Sequence, residues 1–311
     1  MVSLGGMLRI ISRRRIVAGF KLFLGLHPPG RNLVVRPEDT FLVSYPKSGN
    51  TWARFLIANL VHPEQSPDFA NIDQLIPDPE GLPKRTFDLL PNPRIIRTHS
   101  PFDPQYRHVI YIVRDPRDIV VSQFHYHRKR KVIDDTYPIE AFVSRFIVGD
   151  TAPHGSWKEN VASWLAARFG DAQFLLLRYE DMIQDTHHEL EKIACFLGIE
   201  VSSEQIANAV LRSSAGQMRK LEQAKGDHCA LIKGTRQDLP FVRVAKSGNW
   251  QGDLPEHCVA TMEEVWGDWM SWLGYELVST HPQDKGTVKA NEGSVKHPMA
   301  KLPDSYSILR N

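Results

Sequence analysis

The chain has 311 residues, 42% hydrophobic and 24% charged, with 38 Lys and Arg against 36 Asp and Glu for a formal net charge of +2. That length buries a substantial core in one large α/β domain or two smaller ones, and the near-neutral balance argues against a chain-wide field for nucleic acid or acidic lipid. Three cysteines (Cys195, Cys229 and Cys258), an odd number without metal-ligand spacing, argue against a disulfide framework or a zinc site and suit a reducing cytosol.

At the N-terminus, Arg13, Arg14 and Arg15 precede the apolar run IVAGFKLFLGL, which Lys21 interrupts. The run is shorter than the ~20 residues of a membrane span. No small-residue cleavage pattern follows it, and His27-Pro28-Pro29-Gly30 reads as a helix stop. Residues 1–36 are therefore expected to form a basic, apolar helical extension that packs on the domain or rests on a membrane surface. The expected location is cytoplasmic, with peripheral membrane contact through that helix as the alternative.

A compact region is expected over 37–278. DTFLVSYP (39–46) is a short β-forming run, and TWARFLIANLV (51–61) has helical apolar spacing at Trp52, Phe55, Leu56 and Leu60. Residues 62–93, rich in proline and aspartate, read as loop with short helical pieces. RIIRTHSP (94–101) is a second strand. HVIYIVRDPRD (108–118) begins with the continuous apolar run of a strand buried on both faces, then offers Asp115 as N-cap and Pro116 at the first helical position. SWKENVASWLAARFG (156–170) is an amphipathic helix with Trp157, Val161, Trp164 and Leu165 on one stripe. AQFLLLRYEDM (172–182) is a fourth strand, and HHELEKIACFLGI (187–199) is a helix closed by Gly198. Helical stretches near 204–224 and a Trp-rich helix near 256–273 complete the domain, and 279–311 reads as a polar, disordered tail. The alternation predicts an α/β fold: a central parallel sheet flanked by helices.

A glycine-containing turn between a strand and a helix gathers backbone N–H groups and a helix dipole at one point, which makes SYPKSGNTW (44–52) an anion site rather than a plain helix-capping turn. Lys47 adds charge, Ser48 and Thr51 add hydrogen-bond donors, and Gly49 permits close approach of the backbone. The order departs from the triphosphate pattern G-x-x-x-x-G-K-[ST], because Lys47 precedes the only glycine.

YPKSGNTW resembles the 5′-phosphosulfate loop of the soluble-type sulfotransferase family, Y-P-K-S-G-T-T-W, with Asn50 in place of the first threonine. The family's donor is 3′-phosphoadenosine 5′-phosphosulfate (PAPS) and its fold is P-loop-like. The resemblance assigns Lys47, Ser48, Gly49, Asn50 and Thr51 to the phosphosulfate, with Lys47 steadying the leaving oxygen, and Trp52 to stacking on adenine. YIVRDPRDIVVSQFHYH (111–127) resembles the second motif and gives the 3′-phosphate to Arg114 and Ser122. RTHSP (97–101) is similar to K-T-H-x-P, which makes His99 the general base and leaves Arg97 as positive charge near the transferred group. FVRVAKSGNW (241–250) resembles R-K-G-x-x-G-x-W: Arg243, Gly248 and Trp250 match, Val244 and Ala245 replace Lys-Gly, and Lys246 is a neighbouring source of charge. Tyr179 and Ser213 are carried over as adenine contacts, with packing and helix capping as their plain alternatives. The likeness covers about residues 39–275.

Two patches compete for attention. FHYHRKRK (124–131) reads as a solvated helix end whose charges complement the dipole, with an anionic sugar acceptor as the sharper option. His187 and His188 read as exposed. The resulting expectation is a PAPS-dependent sulfotransferase that needs no metal, since a phosphosulfate lacks the β,γ-phosphate pair that magnesium bridges. It would transfer the sulfuryl group in line to a hydroxyl, with an amine as the alternative, of a small molecule, glycolipid or carbohydrate, and nucleic acid is not an expected partner. The rival readings are an ATP-dependent P-loop kinase, in which Asp115 would hold magnesium, and a noncatalytic nucleotide-binding module.

Overall fold

The computed structural model describes residues 33–279 except Gly81, Pro83 and Ala230. The expected N-terminal basic helix and the polar tail beyond Ser279 lie outside the described residues.

Four strands form one parallel sheet: β1 (Thr40–Ser44), β2 (Ile95–Thr98), β3 (His108–Val113) and β4 (Phe174–Arg178), in the order β2-β1-β3-β4. Phe41, Leu42, Val43, Val109, Ile110, Tyr111 and Ile112 are all 0% exposed, as their continuous apolar runs require of strands covered on both faces. Alternation sends Phe41, Val43, Val109 and Tyr111 into one core and Leu42, Ile110, Ile112 and Leu177 into the other.

The helices are α1 (Asn50–Val61), α2 (Ile72–Leu75), α3 (Lys84–Asp88), α4 (Pro116–Lys129), α5 (Ile139–Ile147), α6 (Trp157–Arg168), α7 (Tyr179–Gln184), α8 (Thr186–Leu197), α9 (Ser203–Arg212), α10 (Ala215–Lys225), α11 (Trp250–Asp253) and α12 (Glu256–Trp272). The first core is closed by α4, α5, α6 and α12 through Phe124, Phe142, Phe146, Trp157, Trp164, Trp266 and Trp269. The second is closed by α1, α8 and α9 through Phe55, Leu56, Leu190, Ile193 and Ile206. Among the described residues no helix is long and apolar enough to cross a membrane.

Local signals set the helix ends. The Asp115 carboxylate accepts the Arg117 N–H at 2.9 Å with Pro116 in the first turn, Ser156 and Glu159 form a reciprocal capping box, and Gly198 closes α8 at φ 66°. Two elements differ from the sequence reading. The run at 172–182 is strand only to Arg178, then turns into α7 with Tyr179 in its first turn. Helix α5 was not anticipated, although Phe142, Val143 and Phe146 give it a buried stripe.

Because all four strands are parallel, their carboxyl ends share one edge. The chain steps from β1 to β2 on one side, then crosses to β3 on the other. That reversal opens a crevice above β1 and β3, where open α/β sheets bind ligands.

Candidate active site

The loop leaving β1 carries two left-handed residues, Lys47 at φ 74° and Gly49 at φ 96°, around Ser48. Gly49 is required twice over. Its φ suits glycine, and a Cβ there would lie 2.5 Å from Cδ2 of Tyr179. Ser48 is fully buried and its hydroxyl has no hydrogen-bond partner among the described residues, a donor held ready beside the loop. The Lys47 ammonium rests 4.3 Å from the Tyr126 ring centroid and 4.8 Å from that of Phe241. Burial, reinforced by Arg114 and Arg243, lowers its pKa to about 8. Thr51 and Trp52 are half-buried at the start of α1 and border the cavity.

Asn50 behaves differently from its neighbours. Its side-chain amide turns inward to β1, donating to the Leu42 carbonyl at 3.3 Å and to the Ser44 hydroxyl at 3.2 Å. The phosphosulfate contact expected of it is therefore not one its Nδ2 can make in this conformation, since both protons are engaged.

His99 follows the end of β2. Its Nδ1 lies 2.7 Å from the Ser44 carbonyl oxygen, which can only accept, so Nδ1 carries the proton and Nε2 keeps its lone pair. Burial first, then the positive charge of Arg97, holds its pKa well below the ordinary histidine value, so the ring is neutral at pH 7. His154 stands beside it at 5.8 Å between ring centroids, with its own pKa lowered to about 4, chiefly by burial. Arg97 is not a free charge: one guanidinium nitrogen is paired with the Asp78 carboxylate.

Arg114, at the end of β3, is the tie-rod of the site. It donates to the Lys47 carbonyl and to the Lys246 carbonyl, each at 3.2 Å, and lies 4.1 Å over the Tyr179 ring. Ser122, two turns into α4, is half-buried and borders the same cavity. Arg243 also borders it and reaches Asp253 at 3.3 Å. Ala245 sits at φ 54°, so this chain keeps at alanine a left-handed turn that glycine would adopt without strain. Asp115 is engaged by Arg117, with bonds of 3.0 and 2.7 Å besides the cap, which fits the capping reading rather than a magnesium ligand.

Tyr179 and Trp52 meet edge to face at 5.8 Å and both border the cavity. Ser213 does not. It is fully buried and its hydroxyl accepts from Asn59 at 3.1 Å, while its carbonyl accepts the Trp52 indole N–H at 3.1 Å. It orients the indole from behind, and the residue of this pair that borders the cavity is Ser214, whose hydroxyl caps α10 by accepting the Gln217 N–H at 3.4 Å.

Several supports carry no sequence signal of their own. Glu222 accepts the N–H groups of Phe241 and Val242 at 2.6 and 2.9 Å, and Arg219 donates to the Val242 and Arg243 carbonyls at 3.2 and 2.8 Å. Asp118 accepts the N–H of Gly248 at 2.8 Å and of Trp250 at 3.2 Å. The basic run at the end of α4 is solvated only in part: Arg130 and Lys131 are exposed, as sequence suggests, and Lys129 is not. Lys129 is buried, donating to the carbonyls of Arg236 and Leu239 at 2.9 and 2.5 Å, while Tyr126, His127 and Arg130 border the cavity. A helix packed across the crevice turns one face of that run inward. His187 is half-exposed and His188 exposed, both near Glu191.

These groups surround one cavity of about 680 Å³ that runs from Trp52 and Tyr179 past Lys47 to Arg97, His99 and His154. Its volume is within the range of small-molecule sites. Among the described residues, no group of three or more His, Cys, Asp or Glu is placed to hold a metal ion.

Comparison with known proteins follows the same lines. The profile of the sulfotransferase domain family matches residues 37–274. Sulfotransferase 1C2 of Rattus norvegicus is 28% identical over 236 residues, covering 70% of this chain and 77% of that protein. Sulfotransferase 4A1 of Mus musculus is 35% identical over 189 residues, 57% of this chain and 65% of its own. The crystal structure of mouse sulfotransferase SULT7A1 complexed with PAP superposes with a TM-score of 0.62 at 31% identity, over 78% of this chain and 88% of that one.

Proposed function

The chain belongs to the sulfotransferase domain family, and from that premise we propose that it carries the sulfuryl group of PAPS to a hydroxyl of a small acceptor molecule. One observation supports this above the rest: the carboxyl ends of all four strands deliver Lys47, His99, Arg114 and Tyr179 to a single cavity.

The adenine end of the donor fits beside Trp52 and Tyr179. Its phosphosulfate fits the Ser48–Gly49 turn, where the buried Ser48 hydroxyl lacks a partner, and its 3′-phosphate fits Arg114, Ser122 and Arg243. The acceptor hydroxyl approaches from the side of His154. Its proton goes to Nε2 of His99 as the acceptor oxygen bonds to sulfur. The bond from sulfur to the bridging oxygen breaks, and its electron pair leaves on the 5′-phosphate. The products are a sulfate ester and PAP, and His99 returns its proton to solvent. Neutral His99, with its lone pair on Nε2, is in the state a base needs at the start. The Lys47 ammonium leaves its aromatic rest position to meet the charge that develops on the bridging oxygen. Arg97, partly offset by Asp78, contributes field rather than a free donor and helps keep His99 unprotonated.

A paired assay with radiolabelled PAPS and γ-labelled ATP over a panel of hydroxylated acceptors tests the reading. Sulfated product from PAPS without added magnesium is expected. Labelled product from ATP alone would establish the kinase instead, and donor binding without any product would favour a binding module. In the same assay His99→Ala should lower turnover by roughly 10²–10⁴-fold, the usual worth of a general base.

A further inference from the structure

Asn50 stands where the family loop has threonine, yet its side chain has no proton to offer an anion. Both Nδ2 hydrogens are engaged, one by the Leu42 carbonyl at 3.3 Å and one by the Ser44 hydroxyl at 3.2 Å. What remains is Oδ1, a buried acceptor without a partner among the described residues, and an acceptor repels a phosphosulfate oxygen. Asn50 is 4% exposed and Ser44 0%; Asn50 borders the cavity, but its Nδ2 is turned inward to Leu42 and Ser44.

Ser44, the last residue of β1, in turn faces His99 with both of its oxygens. Nδ1 of His99 lies 2.7 Å from the Ser44 carbonyl and 3.4 Å from the Ser44 hydroxyl. With the carbonyl as the near acceptor, the ring N–H is shared between the two oxygens. The same hydroxyl oxygen accepts the Asn50 amide at 3.2 Å, which leaves its second lone pair for the ring N–H.

We propose that Asn50 and Ser44 are positioning residues for the base: Asn50 fixes the Ser44 hydroxyl, and Ser44 grips the Nδ1 edge of His99 so that Nε2 points into the cavity as a bare lone pair. The first residue of α1 is thereby coupled to the acceptor side of the site, and the substitution of asparagine for threonine serves the base rather than the donor. Threonine has a single donor and a shorter reach, so it cannot hold both Leu42 and Ser44. This inference rests on the assignment of His99 as base made above.

The test uses the full chain with ¹⁵N-labelled histidine and long-range ¹H–¹⁵N NMR, which reads the tautomer of each ring, together with calorimetric titration of PAP. The chain has thirteen histidines, and the spectrum of His99→Gln identifies the pair of signals that belongs to His99. In the wild type these should be one protonated and one bare nitrogen. In Asn50→Ala, Asn50→Thr and Ser44→Ala they should move toward the averaged shifts of a mixed tautomer, while the other twelve rings stay in place and report an intact fold. PAP affinity should change by less than about threefold, which is below 1 kcal/mol. A partial loss of alignment should also lower kcat by about 10-fold, within the range a general base is worth, with little change in KM for the donor.

Unchanged His99 signals in Asn50→Ala and Ser44→Ala would overturn the proposal. So would a tenfold loss of PAP affinity in Asn50→Thr with His99 unmoved, which would return Asn50 to the donor. Full turnover by His99→Ala would remove the base assignment by itself and leave the tautomer result standing, so the two failures can be told apart.

Discussion

Replacing Gly49 by alanine tests how closely the loop after β1 and the wall of the cavity are fitted to one another. The added Cβ would sit 2.5 Å from Cδ2 and 2.7 Å from Cε2 of Tyr179, well inside van der Waals contact, at a backbone φ of 96°. Left-handed backbone at an L-residue costs about 1–2 kcal/mol, and forcing a methyl into a packed site costs about 1–3, so the sum is roughly 2–5 kcal/mol. Tyr179 cannot yield cheaply. It is 5% exposed, with Arg114 4.1 Å over its face and Trp52 5.8 Å away at its edge. The loop must shift instead, carrying Lys47 and the carbonyl that Arg114 holds. In urea the midpoint should fall by about 0.7–1.7 M for an m-value near 3 kcal/mol/M. PAP affinity, read by calorimetry, should fall about 100-fold, as a shift on the order of 1 Å costs a positioned ligand. A Gly49→Ala protein with wild-type midpoint and wild-type PAP affinity would refute the close packing of Gly49 on Tyr179 as the reason for glycine here.

Three further outcomes follow from the same geometry. Lys47, with its pKa lowered to about 8 by burial and its positive neighbours, loses its charge as pH rises through that value. The kcat/KM for PAPS should therefore decline above about pH 8, and Lys47→Arg should remove the decline; a flat profile to pH 10 would contradict the assignment. The same depression means that the folded state holds fewer protons at this site than the unfolded chain, so it adds stability as pH rises from about 8 toward the ordinary lysine value. Arg114→Lys deletes the fork that joins the Lys47 and Lys246 carbonyls, and PAP binding should weaken at least about 10-fold because a point charge cannot span both; equal binding would show the fork to be dispensable. Ala245→Gly relieves a left-handed alanine at φ 54°, and strain relief of about 1–2 kcal/mol outweighs the added backbone entropy of about 0.4–1, so thermal unfolding should shift up by a few degrees. A lower melting temperature would show that the turn is unstrained.

Much of the site was legible because its chemistry is local. The strand, turn and helix around Lys47 and Gly49, the cap and proline that open α4 after Arg114, and the strand that leads to His99 are each contained within about a dozen residues, and periodicity or turn chemistry reveals such units. The supports were not legible, because their partners are far apart in sequence. Glu222 reaches Phe241 across 19 residues and Asp118 reaches Gly248 across 130. The basic run at the end of α4 was legible only in part for the same reason: Arg130 and Lys131 are exposed as expected, and only packing buries Lys129. Ser213 shows the converse error. A hydroxyl at the right place in the chain faces Asn59 instead of the cavity, and the neighbouring Ser214 borders the cavity in its place.

The sequence by itself determined a parallel α/β domain, because buried strands need unbroken apolar runs and helices need their stripes and caps. It also determined a lysine- and glycine-bearing turn between strand and helix, which gathers charge and N–H groups at one point whatever the rest of the chain does. Only the tertiary structure decided which side chains share a space. It set Tyr179 against Gly49, drew Arg97 to Asp78, and turned the Asn50 amide inward to Leu42 and Ser44. Those outcomes depend on where strands from distant parts of the chain end relative to one another, and that is fixed by sheet order and register.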